Sequence, residues 1–540
     1  MLKKLKYIPM VMLPVAATMF GVLSVKTLTD RQNPYDTDLA GTLIPTFDEI
    51  ELPFDQQHSD DTSLSFTASA AIDIDGDGVE ELFIGGGYQQ ENVLYRFENG
   101  GFVEIAGVAG ITKSADGTSL SALVLDANVD GQADLIVSSR EGITLFTNKD
   151  GVFTGELLDT PLDDKTTALS VAVADVNNDG AFDMYVSGYI NVDLVEGLNI
   201  FNKEGYGGVS ALLINNGDNS FTNETEERGL YYLHNTFQAT FGDFERDGDL
   251  DLIVAHDTGH IRTYVNDGTG YFTNTDNPNS GQYSYVMGIG IADYNNDGFT
   301  DYVFSNIGDT PPTFMVNGDL RDDQPLFRKY VLFQPDGSGG FKDVAEEVKI
   351  ADFEFGWGMS FEDLNLDGRD DLIASQNYVT SPIHKIGFLR LPGRMMVQTP
   401  NGEFAEIGAE AGVINRRYSI VPLTADFNSD GRPDVVHINI AGKSKAFLSK
   451  GDASDGFLKI DLGDGLDAIG AFATITLEDG STLSKPYVSG EGLTSDSSHI
   501  IIAGLGAQSA TSVAIRYLDG TEKTVSGSFR NETLRPQDAN

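Results

Sequence analysis

Short apolar runs alternate with polar, glycine-containing turns over residues 45–452. Typical runs are Leu135-Ile136-Val137, Met184-Tyr185-Val186 and Leu252-Ile253-Val254, and each follows a cluster of acidic residues. Short runs rich in β-branched and aromatic residues beside turn residues are typical of strands and are too short for most helices. The pattern therefore predicts an all-β domain of many short antiparallel strands.

An acidic nine-residue motif, D-x-[DNE]-x-D-G-x-x-[DE], occurs seven times, each time just before such a run. We call the copies loops 1 to 7. Seven copies with the same retained positions indicate a repeat architecture and not chance acidic turns. Positions 1, 3, 5 and 9 of the successive loops are Asp73, Asp75, Asp77 and Glu81; Asp126, Asn128, Asp130 and Asp134; Asp175, Asn177, Asp179 and Asp183; Asp243, Glu245, Asp247 and Asp251; Asp293, Asn295, Asp297 and Asp301; Asp363, Asn365, Asp367 and Asp371; and Asp426, Asn428, Asp430 and Asp434.

The spacing of the motif suits calcium, which takes about six to eight oxygen ligands. Side chains at positions 1, 3 and 5 can point into one tight loop, the glycine at position 6 allows a left-handed turn, and position 9 closes the shell. The sequence predicts up to seven structural calcium ions as the cofactor. An EF-hand is excluded, because its bidentate glutamate at position 12 is replaced by Ile84, Val137, Val186, Val254, Phe304, Ala374 or His437.

Each repeat also contains a second phrase, in which an apolar run, an Asn/Gly turn and another short strand follow one another, as in residues 213–223. One repeat is then four strands, with the acidic loop between the first and the second. Four-stranded units of this size arranged radially are propeller blades. We therefore predict a seven-bladed β-propeller over residues 45–452, and an N-terminal strand at residues 47–52 would complete its last blade.

The charge balance and the cysteine count narrow the possible functions. The 540 residues carry 82 acidic against 35 basic side chains, a net charge of −47, so no nucleic acid or anionic membrane partner is expected. The chain has no cysteine, which excludes disulfides, zinc–thiolate sites and thiol nucleophiles. Without disulfides an exported chain needs another source of rigidity, and bound metal is one such source.

The N-terminus predicts export. Lys3, Lys4 and Lys6 precede an apolar run over residues 7–25, which is the layout of a secretory signal. We assign residues 1–26 to a signal peptide and residues 27–44 to a linker, and we expect an extracellular, cell-surface or periplasmic protein. The apolar run is also long enough to remain as an N-terminal anchor, which is the one membrane contact expected.

A different pattern follows the repeats at residues 455–528 and predicts a small, β-sandwich-like C-terminal domain. Residues 529–540 are expected to form a disordered tail. The predicted strands and hairpin turns of this domain lie at residues 458–462, 471–477, 478–481, 500–503, 512–517 and 518–521.

These motifs resemble a known family. The acidic loops resemble the FG-GAP/VCBS repeats of integrin-type propellers, and Gly356-Trp357-Gly358-Met359 before loop 6 is similar to the cartilage acidic protein (ASPIC/UnbV) family. In the C-terminal domain, Ala468-Ile469-Gly470-Ala471, Gly504-Leu505-Gly506 and Tyr517-Leu518-Asp519-Gly520 resemble the ASPIC/UnbV domain, although the family more often has Trp-Pro-Asp-Gly in the last phrase. The resemblance covers about residues 45–526 and implies an extracellular or periplasmic binding protein without established catalytic residues.

A binding surface is expected on the face opposite the acidic loops. The repeats differ in length, and the extra residues lie at 188–208, 308–329 and 381–395, in each case between strands 2 and 3. Because successive strands alternate in direction, the loops between strands 2 and 3 all lie on the face opposite the acidic loops. Basic residues there could attract an anionic ligand such as an acidic polysaccharide; alternatively, the loops cover one another and the bases balance nearby acids. The residues assigned to this face are Tyr189, Phe201, Tyr206, Phe314, His384, Lys385, Phe388, Arg390 and Arg394.

Two functions remain open on the sequence alone. The leading hypothesis is a calcium-dependent, non-catalytic binding or adhesion protein for an extracellular protein or glycan, since no Gly-x-Ser-x-Gly elbow or phosphate loop is present. His256 and His260 follow strand 2 of the fourth repeat and are interpreted as surface turn residues. The alternative is a calcium-dependent polysaccharide lyase or hydrolase, which a converging Lys/Arg/Tyr/His set at the channel mouth would favour.

Overall fold

The computed structural model describes residues 33–58, 66–111, 118–163, 166–190, 207–310, 320–377, 391–451 and 455–538. Seven antiparallel sheets of four propeller strands each dominate this part of the chain, and we call them blades 1 to 7. The prediction of an all-β, seven-bladed propeller is confirmed. The predicted signal peptide lies outside the described residues.

The strands are numbered in chain order, and each blade runs from a first to a fourth strand. The first strands are Ser69–Ile72 (β2), Ser119–Leu125 (β6), Thr166–Ala174 (β10), Thr236–Gly242 (β14), Ile289–Ala292 (β18), Gly356–Glu362 (β22) and Ser419–Ala425 (β26). The second strands are Glu81–Ile84 (β3), Asp134–Ser139 (β7), Asp183–Ile190 (β11), Asp251–His256 (β15), Asp301–Phe304 (β19), Asp371–Gln376 (β23) and Asp434–Asn439 (β27).

The third strands are Val93–Glu98 (β4), Gly142–Lys149 (β8), Ala211–Asn215 (β12), Ile261–Asn266 (β16), Val331–Pro335 (β20), Arg394–Gln398 (β24) and Lys445–Lys450 (β28). The fourth strands are Gly101–Glu104 (β5), Val152–Leu157 (β9), Phe221–Asn223 (β13), Phe272–Thr275 (β17), Phe341–Asp343 (β21), Phe404–Glu406 (β25) and Thr46–Glu51 (β1). Two one-turn helices, Ala106–Ala109 (α1) and Gly408–Ala411 (α2), follow the fourth strands of blades 1 and 6.

The first strands form a closed ring, since each contacts the first strand of the next blade and β26 contacts β2. Blade 7 is completed by the N-terminal strand β1, which pairs antiparallel with β28 from Thr46–Lys450 to Glu51–Lys445. The predicted strand at residues 47–52 is therefore confirmed. Blade 7 thus joins strands from both ends of the repeat region in one sheet, which closes the ring of blades.

Burial falls from the centre of the propeller outward. The first strands β6 and β26 are buried at every residue, whereas the fourth strand β9 is buried at one residue of six. Central strands covered on both faces need continuous apolar or small residues, which explains runs such as Ser119–Leu125. The short apolar runs in the sequence are these inner strands.

A ring of large apolar side chains closes the channel near the start of the first strands. A β-bulge at the same place in five first strands turns Leu120, Leu169, Phe237, Trp357 or Ile420 out of the ladder. These side chains form one buried cluster with Phe66 and Met287. We call the set the channel ring; its members are Phe66, Leu120, Leu169, Phe237, Met287, Trp357 and Ile420.

The C-terminal domain has two sheets, with strand orders β33-β29-β36 and β31-β30-β34-β35. The β-sandwich-like prediction agrees with these sheets. The strands are Gly456–Ile460 (β29), Phe472–Leu477 (β30), Thr482–Pro486 (β31), Ser495–Asp496 (β32), Ile501–Gly506 (β33), Ala510–Arg516 (β34), Glu522–Phe529 (β35) and Glu532–Leu534 (β36).

The end of the chain differs from the prediction of a disordered tail at residues 529–540. Strand β36 pairs parallel with β29, from Leu458–Glu532 to Ile460–Leu534. Arg535 also contacts Asp461, with 2.8 Å between guanidinium and carboxylate. Pairing with the edge of β29 satisfies backbone groups that would otherwise be open, so the domain extends past residue 528.

Residues 488–500, which we call the plug, connect β31 to β33 and enter the propeller channel from the face that carries the acidic loops. Its strand β32 adds to blade 1 beside β2, and Gly492 exchanges backbone hydrogen bonds of 2.7 and 2.9 Å with Ile289. Leu493 is fully buried and packs into the channel ring. The plug is hydrogen-bonded to the first strands of six blades through Ser69, Val124, Gln238, Ile289, Ser360 and Thr424.

The described part of the predicted linker, residues 33–44, packs along blade 6. The Tyr35 hydroxyl donates to Asp352 at 3.0 Å, the Thr37 hydroxyl donates to the Phe404 carbonyl at 3.1 Å, and Asn365 donates to the Leu43 carbonyl at 2.9 Å. These contacts make it part of the folded domain. No helix among the described residues combines the length and the hydropathy needed to cross a membrane.

Candidate calcium loops and the opposite face

All seven acidic loops adopt one conformation, which their own carboxylates hold. The position 1 aspartate accepts the backbone N–H of position 5 at 2.9–3.2 Å and that of the glycine at position 6 at 2.7–3.2 Å. Position 5 accepts the N–H of position 7 at 2.8–3.2 Å. These bonds curl the backbone of every loop around the side chain at position 1.

Two positions of each loop have left-handed backbone. The glycine at position 6 has φ between 83° and 94° in the seven loops, as the sequence predicts. Position 4 is also left-handed, with φ between 56° and 74°, although it is Val129 in loop 2 and Leu366 in loop 6. The sequence gives no signal for position 4, because its residue type varies.

Position 9 closes each loop with a buried carboxylate. Asp301 Oδ1, Asp371 Oδ2 and Asp434 Oδ2 are buried and have no hydrogen-bond donor. Burial, together with the carboxylates at positions 1 and 5, raises the pKa of Asp434 to about 8 and that of Asp183 to about 7. A cation between the carboxylates would relieve both the burial cost and the repulsion.

The donor set fits a hard cation. The motif side chains offer carboxylate and amide oxygens, and loop 1 holds Asp73, Asp75 and Asp77 with one oxygen of each within 4.8 Å of the others. Oxygen-only ligation is the preference of calcium, and in loops 5 to 7 the donorless oxygen of position 9 leaves room for a positive partner. The seven predicted ligand sets therefore fit calcium in the kind of their oxygens, and in loop 1 three carboxylates also converge.

The C-terminal domain covers the loop face. The Gly504 N–H donates to Asp363 of loop 6 at 2.8 Å, and the Lys459 ammonium lies 3.0 Å from Asp426 of loop 7. Asp363 and Asp426 are accordingly buried, whereas Asp179 of loop 3 is exposed. The loops thus serve as the docking surface of a second domain.

On the opposite face, the extra length between second and third strands lies in blades 3, 5 and 6, as predicted. Tyr189 is half-buried; its hydroxyl donates to Asp257 at 3.2 Å and its ring stacks on Phe237. Arg394 is wrongly predicted to lie on this face, because it is buried and ion-paired with Glu354 at 2.7 Å. The other assigned residues, Phe201, Tyr206, Phe314, His384, Lys385, Phe388 and Arg390, lie outside the described residues.

The interpretation of His256 as a surface turn residue is wrong. Its side chain is buried and packs against the rings of Tyr232 and His234, with centroid distances of 5.0 and 5.5 Å. Arg262 lies over the Tyr232 ring at 3.5 Å. The pairing of His256 with Thr236 brings these residues together, and the sequence pattern alone does not give that register.

A second set converges at the channel mouth beneath the C-terminal domain. The Tyr487 hydroxyl and the His499 ring lie 2.8 Å apart, and the two ring nitrogens of His499 face Asp464 and Asp496. Lys485 is buried in an ion pair with Asp370. These groups are buried and engaged with partners within the chain.

Family comparison finds FG-GAP-like repeats at residues 73–137, 126–186 and 243–304, and an ASPIC and UnbV domain at residues 463–538. The repeat matches contain loops 1 to 5, and the domain match extends to β36. Both confirm the resemblance drawn from the sequence. No curated protein matches the chain.

Three similar solved structures share little sequence with this chain. BBS1N in complex with ARL6DN is 9% identical, with 76% of this chain and 98% of that chain covered and a TM-score of 0.43. YCF48 bound to D1 peptide is 10% identical, with 77% and 100% covered and a TM-score of 0.42. The extracellular domain of BT4673 from B. thetaiotaomicron is 12% identical, with 81% and 44% covered and a TM-score of 0.40. The repeats, the sheets and the C-terminal match together show that this chain is an FG-GAP-type, seven-bladed β-propeller with an ASPIC and UnbV domain, an architecture that is generally a binding or structural scaffold.

Proposed function

We propose that this protein is an exported, non-catalytic binding protein whose propeller is held by calcium and whose partner, a protein or glycan, binds the face opposite the acidic loops. The secretory layout of residues 1–26 supports export. Because the chain has no cysteine and so no disulfide, bound calcium would supply rigidity to the exported protein. The donorless oxygens at position 9 support the metal.

The opposite face is proposed as the binding face because the C-terminal domain already occupies the face that carries the acidic loops. The domain contacts loops 6 and 7, and its plug fills the channel as far as the channel ring. A large partner approaching the loop face would have to displace this domain. The opposite face keeps the long connections between second and third strands, where loops on a rigid scaffold commonly carry function.

The described part of the opposite face carries an aromatic–basic patch on blade 4. Arg262 forms no carboxylate ion pair within the described part of the chain; its contacts are the Tyr232 ring and the Tyr264 hydroxyl at 3.3 Å. In a chain with 82 acids and 35 bases, an arginine placed among rings favours an anionic partner. The patch consists of Tyr231, Tyr232, His234, His260, Arg262 and Tyr283.

Of the two partner classes, the patch favours a glycan with carboxylate or sulfate groups. The Tyr232 and His234 rings stack at 5.5 Å, Tyr231 is 58% exposed, and the His260 and Tyr283 rings lie 4.3 Å apart. Rings beside a guanidinium offer stacking to sugar faces and a charge-assisted hydrogen bond to an anionic group.

Binding of acidic, sulfated and neutral polysaccharides to the intact protein, with calcium and after EGTA, tests this function. We expect Arg262→Gln to weaken binding of an acidic or sulfated glycan by about 10- to 150-fold, because one charge-assisted hydrogen bond contributes about 1.5–3 kcal/mol. Lys342→Gln removes a charge from an exposed pair with Glu347 on the outer strand β21, away from the patch, and serves as the control. Equal binding by both variants, or no binding to any glycan, would remove the glycan partner.

The catalytic alternative draws on the Lys485, Tyr487 and His499 set at the channel mouth. These side chains belong to the C-terminal domain, are buried where it meets the propeller, and face Asp370, Asp464 and Asp496. A polymer could reach them only if the domain separated from the propeller. A depolymerisation screen with and without calcium separates the two functions, and turnover of any polysaccharide would contradict the non-catalytic proposal.

A further inference from the structure

Loop 1 differs from the other loops in the side chain that faces its closing carboxylate. Arg96 Nε donates to Glu81 Oε1 at 2.5 Å, and Arg96 Nη2 donates to Asp75 Oδ2 at 2.7 Å. One guanidinium thus joins positions 3 and 9 of the motif. A planar guanidinium can satisfy two carboxylates in this way because its N–H groups point in fixed directions.

The strand register shows that Arg96 has a unique place among the blades. Leu82 pairs with Tyr95, so Glu81 and Arg96 form the next pair along the β3–β4 ladder. The same register position in blades 2 to 7 is uncharged. Those residues are Thr147, Ile214, Val265, Gln334, Val397 and Leu448.

Glu81 is saturated by donors of the protein itself. Its second oxygen accepts the Ile74 N–H at 3.2 Å, and its side chain is 2% exposed. At the same position, Asp301, Asp371 and Asp434 each keep an oxygen without a donor. In loops 2 to 4 both oxygens accept backbone N–H groups, so Glu81 is set apart by its charged donor.

Other cationic side chains near the loops contact fewer motif carboxylates than Arg96 does. Arg369 reaches Asp367 in loop 6, and Lys459 reaches Asp426 in loop 7, so each meets a single motif carboxylate. Within the described part of the chain, Arg96 alone joins two carboxylates of one motif. The oxygens of Asp73, Asp75 and Asp77 still converge, but Asp75 and Glu81 already have a positive partner.

We propose that Arg96 takes the place of calcium in loop 1, so that blade 1 is held by an internal cation while the other loops use metal. This inference rests on the proposed calcium role and divides the seven motifs into one self-neutralised loop and up to six metal loops. The inference also explains why position 9 is glutamate in loop 1 and aspartate in the other loops, since the longer side chain of Glu81 reaches Arg96.

Calcium counting by native mass spectrometry on the full chain at saturating calcium tests the inference. Arg96→Thr installs the residue of blade 2, and we expect this variant to bind one calcium ion more than the wild type. The reciprocal variant Thr147→Arg places a guanidinium beside Asp134, and we expect it to bind one ion fewer. Arg321→Thr also removes one positive charge, but away from the loops, and should leave the count unchanged.

The outcomes separate this inference from the calcium role itself. A wild type that binds calcium at all seven loops, or an Arg96→Thr variant with an unchanged count, overturns the role of Arg96 and leaves structural calcium intact. A wild type without any bound calcium overturns the proposed function. If Arg96→Thr does not fold, Thr147→Arg still decides, because retention of the loop 2 ion beside the new arginine contradicts the inference.

Discussion

Val129 occupies position 4 of loop 2 with φ of 59°, a backbone conformation that β-branched residues rarely adopt. Its side chain is 82% exposed and has no packing role that would offset the strain. The loop imposes the conformation, because the backbone must curl there to bring the N–H of Asp130 within 3.0 Å of Asp126. The hydrogen bonds of the loop therefore offset the backbone strain at Val129.

Val129→Asn is expected to stabilise the protein by about 1 kcal/mol, because asparagine adopts left-handed backbone at a lower cost. The melting temperature of the calcium-loaded protein measures the effect. Val108→Asn is the control, since Val108 is 84% exposed in α1, where asparagine brings no such relief. An unchanged or lowered melting temperature for Val129→Asn would show that position 4 is unstrained.

His437 gives the fold a dependence on pH at the residue scale. It is buried, its Nδ1 lies 3.1 Å from the Ser375 hydroxyl, and burial, together with Lys445, lowers its pKa to about 4. Because the folded pKa lies below the unfolded value of about 6.5, the unfolded chain takes up a proton first as the pH falls. Stability is therefore lost progressively from about pH 6.5 down to about pH 4, by at most roughly 3 kcal/mol.

We expect His437→Gln to be less stable near neutral pH but to lose less stability on acidification than the wild type. Urea unfolding at several pH values with saturating calcium measures the difference in slope. Parallel pH profiles for the two proteins would mean that His437 is not the titrating group.

The plug is the element that links the two domains. Gly492 has φ of 91°, and a side chain there would meet the Ser495 hydroxyl at 2.4 Å, so the turn at the tip requires glycine. Leu493 then fills the centre of the channel ring. The sequence of the plug resembles that of an ordinary polar loop. Its role is not evident from that sequence, because its hydrogen-bond partners lie on six blades that are distant along the chain.

Leu493→Ala should destabilise the protein by about 2–5 kcal/mol, because it leaves a cavity in a closed apolar ring. Leu157→Ala is the matched control, since Leu157 is 57% exposed on the fourth strand β9, and its loss should cost less than about 1 kcal/mol. Equal destabilisation by both substitutions would place Leu493 outside the core.

At the scale of the whole molecule, the C-terminal domain and the propeller form one folded body. The plug joins six blades, and Lys459, Lys485 and Gly504 contact loops 6 and 7 or their immediate neighbours. Calorimetry of the calcium-loaded protein is therefore expected to show one unfolding transition. An early, separate transition of the C-terminal domain would contradict this coupling.

Features encoded locally could be predicted from the sequence, and contacts between distant segments could not. The motif from Asp73 to Asp434 gives the number of blades, and the apolar run near Phe47 gives the closing strand. The docking of the C-terminal domain, the patch around Arg262 and the pairing of Arg96 with Glu81 depend on register and domain placement. Composition and spacing carry no direct signal for these contacts.

Calcium removal tests the structural role of the acidic loops most directly. We predict that the purified protein contains several calcium ions and that EGTA lowers its melting temperature by more than about 10 °C, because each site saturated about a thousandfold above its Kd contributes about 4 kcal/mol. Readdition of calcium should restore the original value. An unchanged melting curve after EGTA, with no calcium in the purified protein, would contradict the structural role of calcium.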